Sequence, residues 1–296
     1  MRVLVFGAGS LGSLVGGLLA RAHDVTLVGR DPHASRVGAD GLRVEGAASV
    51  RVEPAAATAV PEEHFDLAVV AVKAFDTPAA ADALASADLD GALSLQNGLG
   101  NEAVLGEELS CPVLAGTCTY GARLRDPGVV ECTGLGEVAL GPPEGGRSAF
   151  ADSAGEAFRA AGIETTVAAD MPHRIWEKLA VNVGINGVTA LARVENGALV
   201  EGPAGEPARL AAVETAQVAR ARGIDLSDAD AERAVARVAD ATAANRSSML
   251  QDVDAGRRTE VDAIHGAVVD RAAEPVPVTA TLAALLRAWE RARDLR

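Results

Sequence analysis

Lysine is almost absent from this chain: of 27 basic residues only Lys73 and Lys178 are lysines, and the rest are arginine. Aromatic residues are scarce too, at 3% of 296 residues, and cysteine occurs three times. Cys111, Cys118 and Cys132 are odd in number and lack C-x-x-C spacing. They argue against a disulfide framework and a zinc site, and fit idle or buried thiols in a reducing cytoplasm. The five histidines, His23, His33, His64, His173 and His265, show no ligand spacing, so neither a metal nor a catalytic histidine is expected. An uninterrupted basic run is also missing, because Arg257-Arg258 and the arginines from Arg291 to Arg296 are interrupted or flanked by Asp and Glu. With 41 acidic residues the formal net charge is -14. Such a chain repels phosphate backbones and anionic membranes, which turns the reading away from nucleic acid and toward a small-molecule partner. From Val3 to Ala20 there is no charge, yet Gly7, Gly9, Gly12, Gly16 and Gly17 interrupt the stretch, so neither a signal peptide nor a membrane span is expected and the cytoplasm is the inferred location.

A composition of 49% hydrophobic and 23% charged residues is that of a globular protein, and the length suits two ordinary domains. In the first half, short β-branched runs (Arg2 to Phe6, Asp24 to Val28, Asp66 to Val72) alternate with helical stretches such as Leu11 to Ala22. Continuous apolar strands separated by helices indicate a parallel sheet covered on both faces. Between about Cys111 and Pro143, short strands with glycine and proline turns suggest a small antiparallel extension of that same sheet. From Asp170 onward alanine-rich helical periodicity takes over, and Pro172 suits a first helical turn. The expected organisation is an α/β Rossmann-type dinucleotide-binding domain over 1–168, then an all-α substrate and catalytic domain over 169–296, with a cleft between them.

Gly7-Ala8-Gly9-Ser10-Leu11-Gly12 is a G-x-G-x-x-G string that follows a strand and opens a helix. The first glycine permits a tight turn, the second lets a pyrophosphate approach the backbone, and the third lets helix and strand pack closely. At the end of the second strand stands Gly29-Arg30, where an acidic residue would bind a ribose 2′-hydroxyl. An arginine there neutralises a 2′-phosphate, which favours NADPH, while the neighbouring Asp31 leaves ribose binding open. Lys73 follows a strand at the carboxyl edge, where doubly wound sheets bind ligands, and Asn97 ends another short apolar run. In the helix near Pro172, Lys178, Asn182 and Asn186 are spaced by four and form one polar stripe among Leu179, Ala180, Val181, Val183 and Ile185. A partly desolvated ammonium on such a face has a lowered pKa and suits proton donation. Thr259 and Glu260 read as the start of a later capped helix, with Glu260 in its first turn.

These segments, with Gln96-Asn97-Gly98, Glu177-Lys178, Ser247-Ser-Met-Leu-Gln-Asp252 and Arg258-Thr259-Glu260, run in order along almost the whole chain, which resembles the ketopantoate reductase family. The resemblance implies NADPH-dependent reduction of 2-dehydropantoate to (R)-pantoate, in pantothenate and coenzyme A synthesis, by a monomer or homodimer. It implies Lys178 as general acid, Asn182, Asn186 and Ser248 as anchors of the substrate carboxylate and hydroxyl, and Asn97 between nicotinamide and substrate. Asn196 is implied on the substrate side, Ala122 in the lining of the cofactor site, and Glu260 as a pocket-closing partner of cofactor or substrate. Pro277-Val-Thr-Ala280 departs from the family pattern without touching a catalytic position. Another branched 2-oxo acid as substrate, or a dinucleotide sensor without catalysis, are the competing expectations.

Overall fold

The computed structural model describes all residues from Met1 to Arg296, and their contacts divide into two units. The first comprises Met1–Gln96 and Gly100–Met171, the second Asn97–Leu99 and Pro172–Arg296. The sequence places its boundary three residues earlier and in one cut. Met171 stays with the first unit because its side chain is fully buried against Gly141 of the sheet, and Asn97–Leu99 joins the helices through a backbone bond described below.

The strands of the first unit are β1 (Arg2–Phe6), β2 (Asp24–Val28), β3 (Leu42–Gly46), β4 (Val50–Val52), β5 (Ala55–Ala57), β6 (His64–Phe65) and β7 (Leu67–Val70). They continue with β8 (Asp88–Leu89), β9 (Ala92–Ser94), β10 (Val113–Cys118), β11 (Gly121–Asp126), β12 (Val129–Gly134), β13 (Val138–Gly141) and β14 (Thr165–Val167). Five helices are interleaved: α1 (Ser10–Leu19), α2 (His33–Asp40), α3 (Thr77–Leu84), α4 (Asn101–Glu108) and α5 (Ala149–Ala160). The main sheet has the order β14-β13-β10-β9-β7-β1-β2-β5, parallel throughout except for the β10–β13 pair. Val3, Leu4 and Val5 of β1 and all four residues of β7 are buried, as parallel strands covered on both faces require.

The region from 111 to 143 corrects the sequence expectation. Only β13 extends the main sheet in antiparallel sense; β11 and β12 belong to a second sheet of order β11-β12-β3-β4, where β12 runs parallel to β3 from Val129↔Arg43 to Cys132↔Gly46. In β3, Leu42 and Val44 are buried while Arg43 and Glu45 are exposed, so this sheet buries one face and wets the other. Cys118 and Cys132 are buried free thiols and Cys111 is half-buried. The uncharged N-terminal stretch is divided between β1 and α1, and no helix is long and apolar enough to cross a membrane.

The second unit is helical: α6 (Met171–Ala192), α7 (Gly205–Ala221), α8 (Asp228–Ala241), α9 (Ser248–Asp254), a π-helical turn at Asp262–Gly266, α10 (Ala267–Arg271) and α11 (Pro277–Arg291). Along α7 the residues Ala208, Ala211, Ala212, Ala216 and Ala219 form a buried stripe at helical spacing, facing α8 and α11. The divergent Pro277-Val-Thr-Ala280 stretch opens α11. Its first-turn N–H groups on Val278 and Thr279 donate to the Glu214 carboxylate of α7 at 2.9 and 2.8 Å, and the Thr279 hydroxyl adds a 2.7 Å bond. A carboxylate at a helix N-terminus meets both orphan donors and dipole, so this stretch carries its own cap from a neighbouring helix.

Candidate active site

The first unit builds a cradle around the glycine string. Gly7 sits at φ +107°, and both it and Ala8 donate to the Val28 carbonyl at 2.9 Å, which bends the chain sharply from β1 toward α1. A Cβ on Gly12 would lie 2.1 Å from the Gly7 carbonyl oxygen, whereas one on Gly9 would meet nothing within 4 Å. Gly12 is therefore dictated by close packing inside the protein, whereas Gly9 borders open space. The cap position of α1 is Gly9 itself, with no side-chain cap, which leaves first-turn N–H groups that could receive an anion. Ser10 Oγ accepts the Leu124 N–H at 3.0 Å, placing β11, the strand of Ala122, against the start of α1.

His33 adds a support that the sequence did not reveal. Its Nδ1 accepts the Gly128 N–H at 3.1 Å, so the ring is neutral and its Nε2–H donates to Ser13 Oγ at 3.0 Å. Burial also pushes its pKa below the ordinary histidine value. One imidazole thereby ties α1, α2 and the β11–β12 turn together.

Arg30 follows β2 with its side chain 90% exposed, paired to Asp76 at 3.3 Å. Such an exposed pair contributes under about 1 kcal/mol and yields to a phosphate dianion. Asp31 is engaged differently: its Oδ1 accepts the Ser35 hydroxyl at 2.5 Å and the Ser35 N–H at 3.0 Å, chiefly the former holding its carboxyl below the usual range. That oxygen is committed to the first turn of α2. Lys73 is half-buried just beyond β7. Its loop is held by Gln96, whose Nε2 donates to the Val72 carbonyl at 3.2 Å and to Thr77 Oγ1 at 2.7 Å; Thr77 in turn donates to Asn101 Oδ1. These supports were not legible, because Gln96 and Val72 come together only when β7 and β9 pair.

In the second unit α6 carries Lys178 and Asn182, both half-buried, and Asn186, which is 4% exposed. Asn186 Nδ2 is buried without a hydrogen-bond partner. A donor left in that state is costly unless an acceptor arrives, and carboxylates and hydroxyls are acceptors. Asn196 repeats the pattern in a turn after α6: its Nδ2 donates to Thr242 Oγ1 at 2.8 Å and its buried Oδ1 has no partner. The same turn is bound to the loop leading to α9, through Asn196 N–H to Asn245 O and Gly197 N–H to Ala243 O. Ser247 caps α9, accepting the Leu250 N–H, and its hydroxyl lies 2.7 Å from Thr189 Oγ1 of α6. Ser248 is exposed beside that cap.

Asn97 is also part of this unit. Leu99 N–H donates to the Ala263 carbonyl at 3.1 Å, and Gly98 at φ +89° lies so close that a Cβ would stand 2.5 Å from that oxygen. Glu260 is buried two residues ahead of the π-helical turn at Asp262–Gly266, accepting the Ile264 N–H on its carbonyl. Thr259 beside it donates from backbone and hydroxyl to the fully buried Glu290, which Arg296 also neutralises. The capped helix expected to start at Thr259 is corrected: the helix opens at Asp262 as a π-helical stretch, its cap position is Val261 without a side-chain cap, and Thr259 and Glu260 lie ahead of it because they are held by Glu290 and by the Ile264 amide. Linear spacing also hid a group at a strand edge, where half-buried His64 lies 3.3 to 3.7 Å from Asp66, Asp88 and Asp90; these contacts become ion pairs when the ring is protonated, and its hydrogen bond to Asp88 foremost raises the His64 pKa.

Residues 3–145 match the family described as ketopantoate reductase PanE/ApbA, and residues 170–290 match its C-terminal region. The chain belongs to the ketopantoate reductase family. Its relatives include a 2-dehydropantoate 2-reductase from Halobacterium salinarum, 49% identical over 303 residues that cover 98% of this chain and 99% of the relative. A crystal structure of a PanE/ApbA family ketopantoate reductase from Ralstonia eutropha superposes with a TM-score of 0.90 at 32% identity, covering 99% of this chain and 100% of the other. A ternary complex of D-mandelate dehydrogenase with NADH and anilino(oxo)acetate reaches a TM-score of 0.93 at 24% identity, with full coverage of both chains, and shares the fold.

Proposed function

We propose that this protein reduces 2-dehydropantoate to (R)-pantoate with NADPH, a step of pantothenate and coenzyme A synthesis. The observation that carries the reading is the α6 face, where an ammonium and a half-buried carboxamide stand in line with the buried, unmet donor of Asn186. An acidic substrate with a carbonyl and a hydroxyl supplies the acceptors that this face lacks.

The first unit's residues fit the dinucleotide. Gly9 leaves open space at the uncapped start of α1, Arg30 offers a nearly fully exposed guanidinium, and the Asp31 oxygen turned to Ser35 is withdrawn from a ribose hydroxyl. When bound, NADPH supplies the hydride that reduces the C2 carbonyl. The chain's own part is to orient the substrate and manage charge and proton. Asn182, Asn186 and Ser248 anchor the carboxylate and hydroxyl, with Asn196 supporting that side. The Lys178 ammonium stabilises the negative charge that grows on the carbonyl oxygen and gives it a proton. Asn97 orients the reacting ends, Ala122 and Lys73 line the cofactor's place, and Glu260 closes the pocket.

A steady-state comparison of NADPH and NADH with 2-dehydropantoate and close analogues tests this. The expected result is preference for NADPH and for 2-dehydropantoate. Feeble turnover of 2-dehydropantoate beside rapid turnover of another branched 2-oxo acid would reassign the substrate, and tight NADPH binding with no turnover of any would make the protein a sensor. Replacing Arg30 by Ala is expected to raise the dissociation constant of NADPH by about 10-fold or more and that of NADH by less than about twofold, since only the former presents a 2′-phosphate. Equal losses in a fluorescence titration would place the cofactor preference elsewhere.

A further inference from the structure

We propose that His265 is a positioning residue, a neutral hydrogen-bond donor to the Val183 carbonyl that keeps the Asn97 segment and the asparagine face of α6 in register. This role rests on the reading of Asn97, Asn182 and Asn186 as substrate contacts.

His265 is fully buried in the π-helical turn, where the Gly266 N–H reaches back five residues to the Val261 carbonyl at 2.8 Å. Such turns re-aim side chains and occur frequently at functional sites. The imidazole Nε2 lies 3.2 Å from the Val183 oxygen. A carbonyl has no proton to give, so Nε2 carries the hydrogen and Nδ1 is the bare nitrogen, buried without a partner. Burial, aided by the Arg287 charge from α11, pushes the His265 pKa down to about 4, which keeps the ring neutral in the ordinary working range.

The contacts of this ring with α6 are specific in place. It bonds to Val183, and a Cβ on Gly187 would stand 2.4 Å from Nε2, so α6 presents a glycine where the ring rests. Val183 and Gly187 directly follow Asn182 and Asn186. A helix clamped at those two positions cannot turn its asparagines about its own axis. On the other flank of the same turn, Ala263 holds the Leu99 N–H and abuts Gly98. Side chains two residues apart on a helical turn point to roughly opposite sides, so the turn touches α6 through His265 and the Asn97 segment through Ala263. Stability alone does not call for this residue, since an apolar side chain of similar volume would fill the space without the unmet Nδ1.

The test compares His265→Leu, which keeps the bulk and removes the donor, with His265→Gln, whose amide nitrogen reaches the place of Nε2. The Leu variant is expected to raise KM for the 2-oxo acid and lower kcat by about 10-fold each, as a displacement of under 1 Å does, with the NADPH dissociation constant within about twofold of wild type. Hydrogen exchange is expected to quicken in the segments holding Leu99 and residues 182–187, and Gln is expected to restore both readouts. A folded Leu variant with unchanged kinetics and exchange, or a Gln variant no better than Leu, would overturn the proposal. Should Leu not fold, nitrogen NMR of the wild-type ring decides: a neutral Nε2–H tautomer at pH 6 is expected, and a protonated ring or an Nδ1–H tautomer refutes it. Exchange and NMR need no turnover, so a wild-type protein that reduces no 2-oxo acid would refute the functional reading and leave the positioning role to be judged on these two.

Discussion

Replacing Lys178 with alanine is expected to lower the turnover of 2-dehydropantoate by about 10²- to 10⁴-fold while the NADPH dissociation constant stays within about twofold. The size follows from what the ammonium supplies in the proposed reaction. As hydride arrives at the carbonyl carbon, a full charge develops on oxygen, and an acid positioned there removes it by proton transfer in the same event. Lys178 is itself half-buried, as are Val181 and Asn182 on the same helix face, so water has restricted access to the place it occupies. Lys178→Arg separates the two contributions: arginine keeps the charge and does not release a proton at working pH, so it is expected to recover only a minor part of the loss. Steady-state kinetics with a parallel NADPH titration measures both. Unchanged turnover in the alanine variant would remove Lys178 from the mechanism.

The second large effect is expected at Gly12. A methyl there would be 2.1 Å from the Gly7 carbonyl oxygen and 3.3 Å from the Ala71 Cβ. Gly7 is itself pinned by its bond to Val28, so the obstacle is backbone and cannot swing aside. Gly12→Ala therefore either lifts α1 from the sheet or reshapes the turn, at a cost of about 1–3 kcal/mol or more in stability. NADPH affinity is expected to fall by about 10²-fold, because the first-turn N–H groups no longer converge on the phosphate. Gly9→Ala provides the contrast. Its methyl meets no protein atom within 4 Å, so thermal unfolding is expected to match wild type while NADPH binding is lost. Wild-type affinity in either variant would show that the pyrophosphate does not rest on this turn.

What could be read from the chain was whatever is encoded by neighbours in sequence. The glycine string declares itself because strand, turn and helix are contiguous from Arg2 to Leu19, and Lys178, Asn182 and Asn186 declare themselves because helical spacing is local. The misplaced parts all depend on distant pairing. Nothing near Val129 indicates that it will lie beside Arg43 rather than extend the main sheet. Nothing in Asn97-Gly98-Leu99 names Ala263 as its partner, and a residue-by-residue pattern does not reveal that a helix start at 262 is π-helical. The hydrogen-bond partners of His33, Gln96 and His265 are hidden from the sequence for the same reason.

The division of the chain has a consequence for recombining this protein with its relatives. Because Asn97–Leu99 is backed by the helical unit and flanked on both sides by the sheet unit, the two units do not correspond to two contiguous stretches. A hybrid that takes residues 172–296 from another source and leaves residues 97–99 behind pairs a foreign Ala263 carbonyl with a native Leu99 amide and sets a native Gly98 against a surface it did not evolve with. A graft of the helical unit therefore travels as two segments, and the shorter of them is three residues long.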